Sequence, residues 1–96
     1  MTLQDQIREI IIKDIGTTYA TIVYNEKKAA LIMPAVYNDG KNYMIWPKLS
    51  SLKEAEATAK DWGRKMPNIK IMRHREAEIP EDPEIFLCNY FLMDFY

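Results

Sequence analysis

The sequence predicts one domain of the α+β class, in which helices cover one face of a mainly antiparallel sheet. Residues 50–66 carry apolar side chains at steps of three and four, the spacing of a helix with one buried stripe. Stretches rich in β-branched and aromatic residues lie before and after this segment, as expected for strands. A lone helix cannot bury its own stripe, so these strands should form a sheet beneath it. The 96 residues suffice for one such core, in the order α-β-β-β-α-β followed by a further apolar segment.

The helix predicted at residues 50–66 has a start signal, a stop signal and an apolar stripe. Ser51 can accept a hydrogen bond from the amide of Glu54, whose carboxylate can reach back to the cap, and Pro67 cannot continue the helix. Gly63 costs about 1 kcal/mol relative to alanine inside a helix, so it predicts close packing or a frayed last turn. The stripe expected to be buried consists of Leu52, Ala55, Ala59, Trp62 and Met66.

A second amphipathic helix is predicted at the amino-terminal end. Thr2 and Asp5 stand at the spacing of a capping box, with Asp in place of the usual Glu, and Gly16 marks the end of the segment. The chain is therefore expected to place a helix before its first strand. The apolar positions of this helix are Leu3, Ile7, Ile10, Ile11 and Ile15.

Four strands are predicted, at residues 19–24, 29–37, 42–46 and 69–75. The polar residues 25–28 join the first two as antiparallel neighbours, and the Asn-Asp-Gly sequence at 38–40 is a strong turn signal before the third. Pro34 lacks an amide donor, so the second strand should lie at an edge there or carry a bulge. Pro47 is expected to end the third strand.

The last twelve residues, 85–96, form an apolar segment whose type is ambiguous from the sequence. Asp82 as a cap followed by Pro83 favours a helix, whereas five aromatic residues among the twelve favour a buried strand. We predict a strand that enters the sheet. Its outward side chains, Tyr90 and Tyr96, are predicted to lie in an interface with another chain.

The total charge is nearly balanced, but the basic and the acidic residues are concentrated in different segments of the chain. A net charge of -1 gives no overall attraction to nucleic acid or to an anionic membrane. Residues 40–75, however, contain nine Lys and Arg residues against three carboxylates, and residues 76–96 contain six carboxylates and no basic residue. The two blocks are expected to attract each other or to face different partners.

No pattern in the sequence predicts a catalytic, metal or cofactor site. The single Cys88 excludes an intrachain disulfide, and lying in an apolar run it is predicted to be core. His74 has no partner at a nearby spacing that would orient it for proton transfer. Four glutamates near His74 lack the strict spacing and the glycine of a calcium loop, so they are interpreted as a solvated acidic loop: Glu76, Glu78, Glu81 and Glu84.

These observations favour a small, non-enzymatic, intracellular protein-binding module without a cofactor. The chain has more Tyr, Met, Trp and Phe residues than a small core can hide, and these residue types dominate protein interfaces. A phage or mobile-element type accessory protein or inhibitor, cytoplasmic and acting on a partner protein or as a homodimer, is one concrete form. No segment has the length of a membrane span.

Two alternatives from other classes remain open at this point. The first is a nucleic-acid-binding domain that uses the basic block, with Lys53, Lys60 and Arg64 on the exposed side of the central helix. The second, ranked below it, is a small enzyme built around His74 and the acidic loop.

Overall fold

The computed structural model describes residues 2, 5–6, 18–35, 42–64 and 69–95. Within these residues the α+β class is confirmed, because one four-stranded mixed sheet packs against two helices. The strands are β1 (Thr18–Tyr24), β2 (Ala29–Ala35), β3 (Asn42–Leu49) and β4 (Ile69–Arg75). The helices are α1 (Leu52–Gly63) and α2 (Glu84–Phe95).

The sheet has the strand order β3-β2-β1-β4. β2 is antiparallel to both β1 and β3, as predicted, whereas β4 is parallel to β1. β3 and β4 therefore run in the same direction and lie at opposite edges of the described sheet. Such a pair needs a crossover, and α1 supplies it by passing over the strands between them.

The two helices cover opposite faces of the sheet, which corrects the prediction that helices cover one face. Side chains alternate along a strand, so Ile22 and Val23 point to different faces. β1 and β2 are apolar at both sets of alternating positions, and such strands need cover on both sides. The core on the α1 side comprises Ala20, Ile22, Ala29, Leu31, Met33, Ala55 and Ala59. The core on the α2 side comprises Val23, Ala30, Ile32, Ile79, Leu87, Cys88 and Phe91.

The carboxyl-terminal segment is a helix, so the predicted strand at 85–96 is wrong. The amide of Leu87 donates to the carbonyl of Pro83 at 2.7 Å, which places the start of α2 one residue after the position that the Asp82–Pro83 signal indicates. Leu87, Cys88 and Phe91 are buried at helical spacing. Packing of this stripe against the sheet outweighs the weak strand propensity of the aromatic residues.

The prolines of β2 and β3 lie where the sheet pairing is irregular or one-sided. Leu31 pairs with Trp46 and Ala29 with Leu49, so two residues of β3, one of them Pro47, oppose a single residue of β2. Pro47 thus occupies a bulge and does not end the strand as predicted. Pro34 lies in a central strand, but beyond the described pairing of β2 with β1, which extends to Ile32. No β1 partner there requires its missing amide.

Helix α1 has the predicted cap, with one change. Ser51 Oγ accepts from the amide of Glu54 at 3.1 Å, as expected. The carboxylate of Glu54 reaches back to Ser50, whose amide donates to it at 2.8 Å and whose hydroxyl also donates to it. These hydrogen bonds lower the pKa of Glu54. The capping box is therefore one residue wider than predicted.

The buried side of α1 is narrower than predicted. Ala55, Ala59 and Gly63 are buried, whereas Trp62 is 38% exposed and packs against Trp46 with ring centroids 5.6 Å apart and ring planes tilted by 55°. A Cβ at Gly63 would lie 2.2 Å from Ile69 Cδ1. Gly63 thus permits close packing of the helix on β4, the first of its two predicted roles.

Several predicted features fall outside the described residues. At the amino terminus the reciprocal cap is present, since Asp5 donates its amide to Thr2 Oγ1 at 3.2 Å and Thr2 donates its amide to Asp5 Oδ2 at 3.3 Å. The features outside are the rest of the amino-terminal helix to Gly16, the turn at 38–40, Met66, Pro67 and Tyr96.

Candidate functional site

Helix α2 combines polar contacts to the sheet with exposed apolar side chains. It has carboxylates in its first and last turns, Glu84 and Asp94, and both are directed at the sheet. Between them the buried side chains of α2 form part of the core described above. The side of α2 that faces away from the sheet carries a different set of residues.

Asp94 is a nearly buried carboxylate, with its side chain 3% exposed. Its Oδ2 accepts a hydrogen bond from Thr21 Oγ1 at 2.5 Å, and its Oδ1 lies 2.9 Å from His74 Nε2. A carboxylate in the last turn of a helix opposes the helix dipole, so it requires such partners. The contacts tie the last turn of α2 to β1 and to the edge strand β4.

His74 is held from two sides by α2. Its side chain is 23% exposed, and its ring lies 4.6 Å from that of Tyr90, centroid to centroid. An Asp–His pair can orient an imidazole for catalysis, but catalysis of the triad type needs a nucleophile on the imidazole itself. Here the hydroxyl of Thr21 donates to Asp94 and not to His74. The geometry is that of a clamp between helix and sheet.

The first turn of α2 has a second polar contact with the sheet. Tyr43 of β3 donates its hydroxyl to Glu84 Oε1 at 2.8 Å. Burial, together with the carboxylate of Glu84, raises the pKa of Tyr43.

Burial also raises the pKa of Cys88, which makes its thiol a weak nucleophile. The sequence-based assignment of Cys88 to the core is confirmed.

The outer face of α2 presents an uncharged, largely apolar stripe, the α2 outer stripe, formed by Ile85, Asn89 and Met93. Ile85 is 72% exposed and Met93 is 64% exposed, and Asn89 between them is exposed as well. Spacings of four place the three on one side of the helix over about 12 Å. Two large apolar side chains are thus open to water on the same face of α2, two turns apart.

The predicted interface residues fall in different places. Tyr90 is half-buried and its ring also lies 5.2 Å from that of Phe86, so it flanks the clamp, and Tyr96 lies outside the described residues. Lys53, Lys60 and Arg64 are exposed along α1, as predicted for that side of the helix.

Several cations of the basic block are engaged within the chain. Arg64 forms an ion pair with Asp61. On β4, Arg73 pairs with Glu56 at 3.0 Å and Arg75 pairs with Glu26 at 3.3 Å. These exposed pairs add little stability, but each carboxylate weakens the local positive field that a phosphate would meet.

Open hollows lie away from the clamp. One, of about 380 Å³, lies between the β1–β2 turn and residues 75–77, and another, of about 370 Å³, lies near Pro47 and Pro80. His74 lines neither. Within the described part of the chain, no three His, Cys, Asp or Glu side chains are grouped as metal ligands. In the same part, no helix has both the length and the apolarity to cross a bilayer.

Sequence reasoning missed two features of this site. The partner of His74 is 20 residues away, beyond any short motif, although an aspartate in an otherwise apolar run signals a carboxylate in need of a partner. The α2 outer stripe was missed because the segment was predicted as a strand. Side chains alternate between two faces along a strand, whereas the faces of a helix repeat every 3.6 residues. No known protein family, curated protein or solved structure matches the chain significantly.

Proposed function

We propose that the protein is a non-enzymatic protein-binding module whose contact surface is the α2 outer stripe. The observation that supports this proposal is the exposure of Ile85 and Met93 on a helix that is also apolar on its inner side. Helices that are apolar on both sides are normally covered on both sides. The sheet covers one side, and a partner protein would cover the other.

The attachment of α2 to the sheet favours binding as well. Asp94 and Glu84 fix the two ends of the helix through His74, Thr21 and Tyr43. A surface fixed before binding loses less conformational entropy when it binds. In this proposal the chain acts by occupying its partner, as a cytoplasmic accessory protein or inhibitor of the phage or mobile-element type, and needs no cofactor.

Nucleic-acid binding through Lys53, Lys60 and Arg64 is the alternative. It has support in the exposure of these three side chains along one side of α1. The pairing of Arg64 with Asp61 and of Arg73 with Glu56 reduces that support. A phosphate-binding surface would show affinity that falls with salt by about one logarithmic unit per contact.

Affinity capture with three matched forms of the chain separates these proposals. The forms are the wild type, the stripe variant Ile85→Ser with Met93→Ser, and the control Lys53→Ser with Lys60→Ser. A lysate of the source organism is divided, and one half is treated with nuclease. We expect a protein that is retained by the wild type and the control, lost with the stripe variant and indifferent to nuclease. Capture that survives in the stripe variant but is lost in the control or after nuclease contradicts the proposal.

A further inference from the structure

We infer that the occupant of the α2 outer stripe is a second copy of this chain, packed with its own α2 antiparallel to the first. This inference rests on the proposed function and specifies its partner. The first support is charge. Glu84 and Asp94 face the sheet, so the stripe formed by Ile85, Asn89 and Met93 carries no charge. Two copies can bring this face together without like-charge repulsion.

The stripe is self-complementary about its centre. Asn89 lies four residues from Ile85 and four from Met93, so a two-fold axis through Asn89 brings Ile85 against Met93 of the partner subunit. The same axis brings Asn89 against Asn89 of the partner subunit, and an amide has both a donor and an acceptor for its own copy. A single polar residue at the centre of an apolar helix contact commonly fixes its orientation.

The charge of the flanking loop selects the antiparallel arrangement. Glu81 and Asp82 are exposed just before the amino-terminal end of α2. A parallel pair would place these carboxylates next to those of the partner, whereas an antiparallel pair places them at opposite ends. The dipoles of the two helices also favour an antiparallel pair.

The size of the α2 outer stripe sets the expected affinity of the dimer. Stable interfaces bury about 1,200–2,000 Å² in total, and three side chains of one short helix supply the lower end of this range or less. We therefore expect a reversible dimer with a Kd on the order of 10–100 µM.

Engineered cysteines test the inference and its geometry together. Asn89→Cys should form a disulfide-linked dimer under mild oxidation about tenfold faster than the exposed control Ala57→Cys on α1, because paired thiols have a high effective concentration. Ile85→Cys alone should cross-link slowly, and a mixture of Ile85→Cys with Met93→Cys should cross-link fast. The wild type, with its buried Cys88, reports the background.

The outcomes separate this inference from the proposed function. Fast cross-linking of Asn89→Cys and of the mixture supports the antiparallel dimer. Equal rates for Asn89→Cys and Ala57→Cys overturn the dimer, and fast self-cross-linking of Ile85→Cys overturns its antiparallel orientation. If the dimer is overturned while the stripe variant still loses a captured protein, the proposed function stands with another occupant. If the stripe variant loses nothing, the proposed function fails too.

Discussion

At the scale of single residues, the contacts of the nearly buried Asp94 carboxylate with Thr21 and His74 are expected to stabilise the fold. Asp94→Ala leaves the hydroxyl of Thr21 and the ring nitrogen of His74 without their acceptor, so it should lower the free energy of unfolding by about 2–3 kcal/mol. Asp94→Ala and His74→Ala should also be non-additive by about 1–2 kcal/mol, because they share one contact.

Urea denaturation of the two single variants and the double variant measures both quantities. Glu78→Ala is a suitable control, since Glu78 is exposed and its loss should change stability by less than about 0.5 kcal/mol. Single variants as stable as the control, or strictly additive effects, would show that the pair does not clamp α2.

Tyr43 gives the protein a predicted sensitivity to alkaline pH. Its pKa is raised in the folded chain, so above about pH 10 the unfolded chain has lost a proton that the folded chain keeps. The contribution of Tyr43 to the free energy of unfolding is therefore fully present below about pH 10 and declines as the pH rises further. Cys88 acts in the same direction from about pH 8.5, because its pKa is raised too.

Denaturation curves at a series of pH values between about 8 and 11 test this linkage. Tyr43→Phe should flatten the decline above about pH 10, and Cys88→Ala should flatten the part that begins lower. A decline that is unchanged in both variants would assign the alkaline sensitivity to other groups.

At the scale of elements, the two helices show what a sequence can and cannot predict. The position of helix α1 was predicted because its signals are local: Ser51 caps it, and Glu54, Ala55 and Ala59 lie within it. Helix α2 was assigned as a strand because five of the last twelve residues are aromatic, a composition that favours strands. Exposed Ile85 and Met93 also hide the helical period of its buried residues.

The cap of α1 gives a prediction at this scale. Ser51→Ala removes the acceptor for the amide of Glu54 and should cost about 1 kcal/mol. Ser51→Asp keeps an acceptor and should retain most of that stability. Thermal or urea denaturation of both variants decides the point. Equal losses in the two variants would mean that the Ser51 hydroxyl contributes through something other than capping.

At the scale of the whole molecule, the sheet between two helices explains why the class was predictable and the layering was not. Strand positions follow from local composition, whereas the face that each helix covers depends on connections across the whole chain. The signal in the sequence that both faces of the sheet are covered was the presence of apolar residues on both faces of β1 and β2, such as Ile22 and Val23. The His74–Asp94 contact was unpredictable for the same reason, since it joins elements distant in sequence.

This layering predicts the effect of removing α2. A chain that lacks residues 82–96 exposes Val23, Ala30 and Ile32, which are buried on the α2 side of the sheet. It should aggregate, whereas the full-length stripe variant should stay soluble and folded. Light scattering and thermal denaturation compare the two. A soluble truncated chain with the melting temperature of the 96-residue chain would show that α2 is not part of the core.

Methyl NMR of the 96-residue chain over a range of concentrations tests whether the α2 outer stripe binds a second copy of the chain. We predict that the methyl signals of Ile85 and Met93 shift together along one dimerisation curve. Those of Ile22 and Met44, on the α1 side of the sheet, should stay fixed. Signals of Ile85 and Met93 that remain unchanged up to about 1 mM, or that move no more than those of Met44, would overturn the dimer.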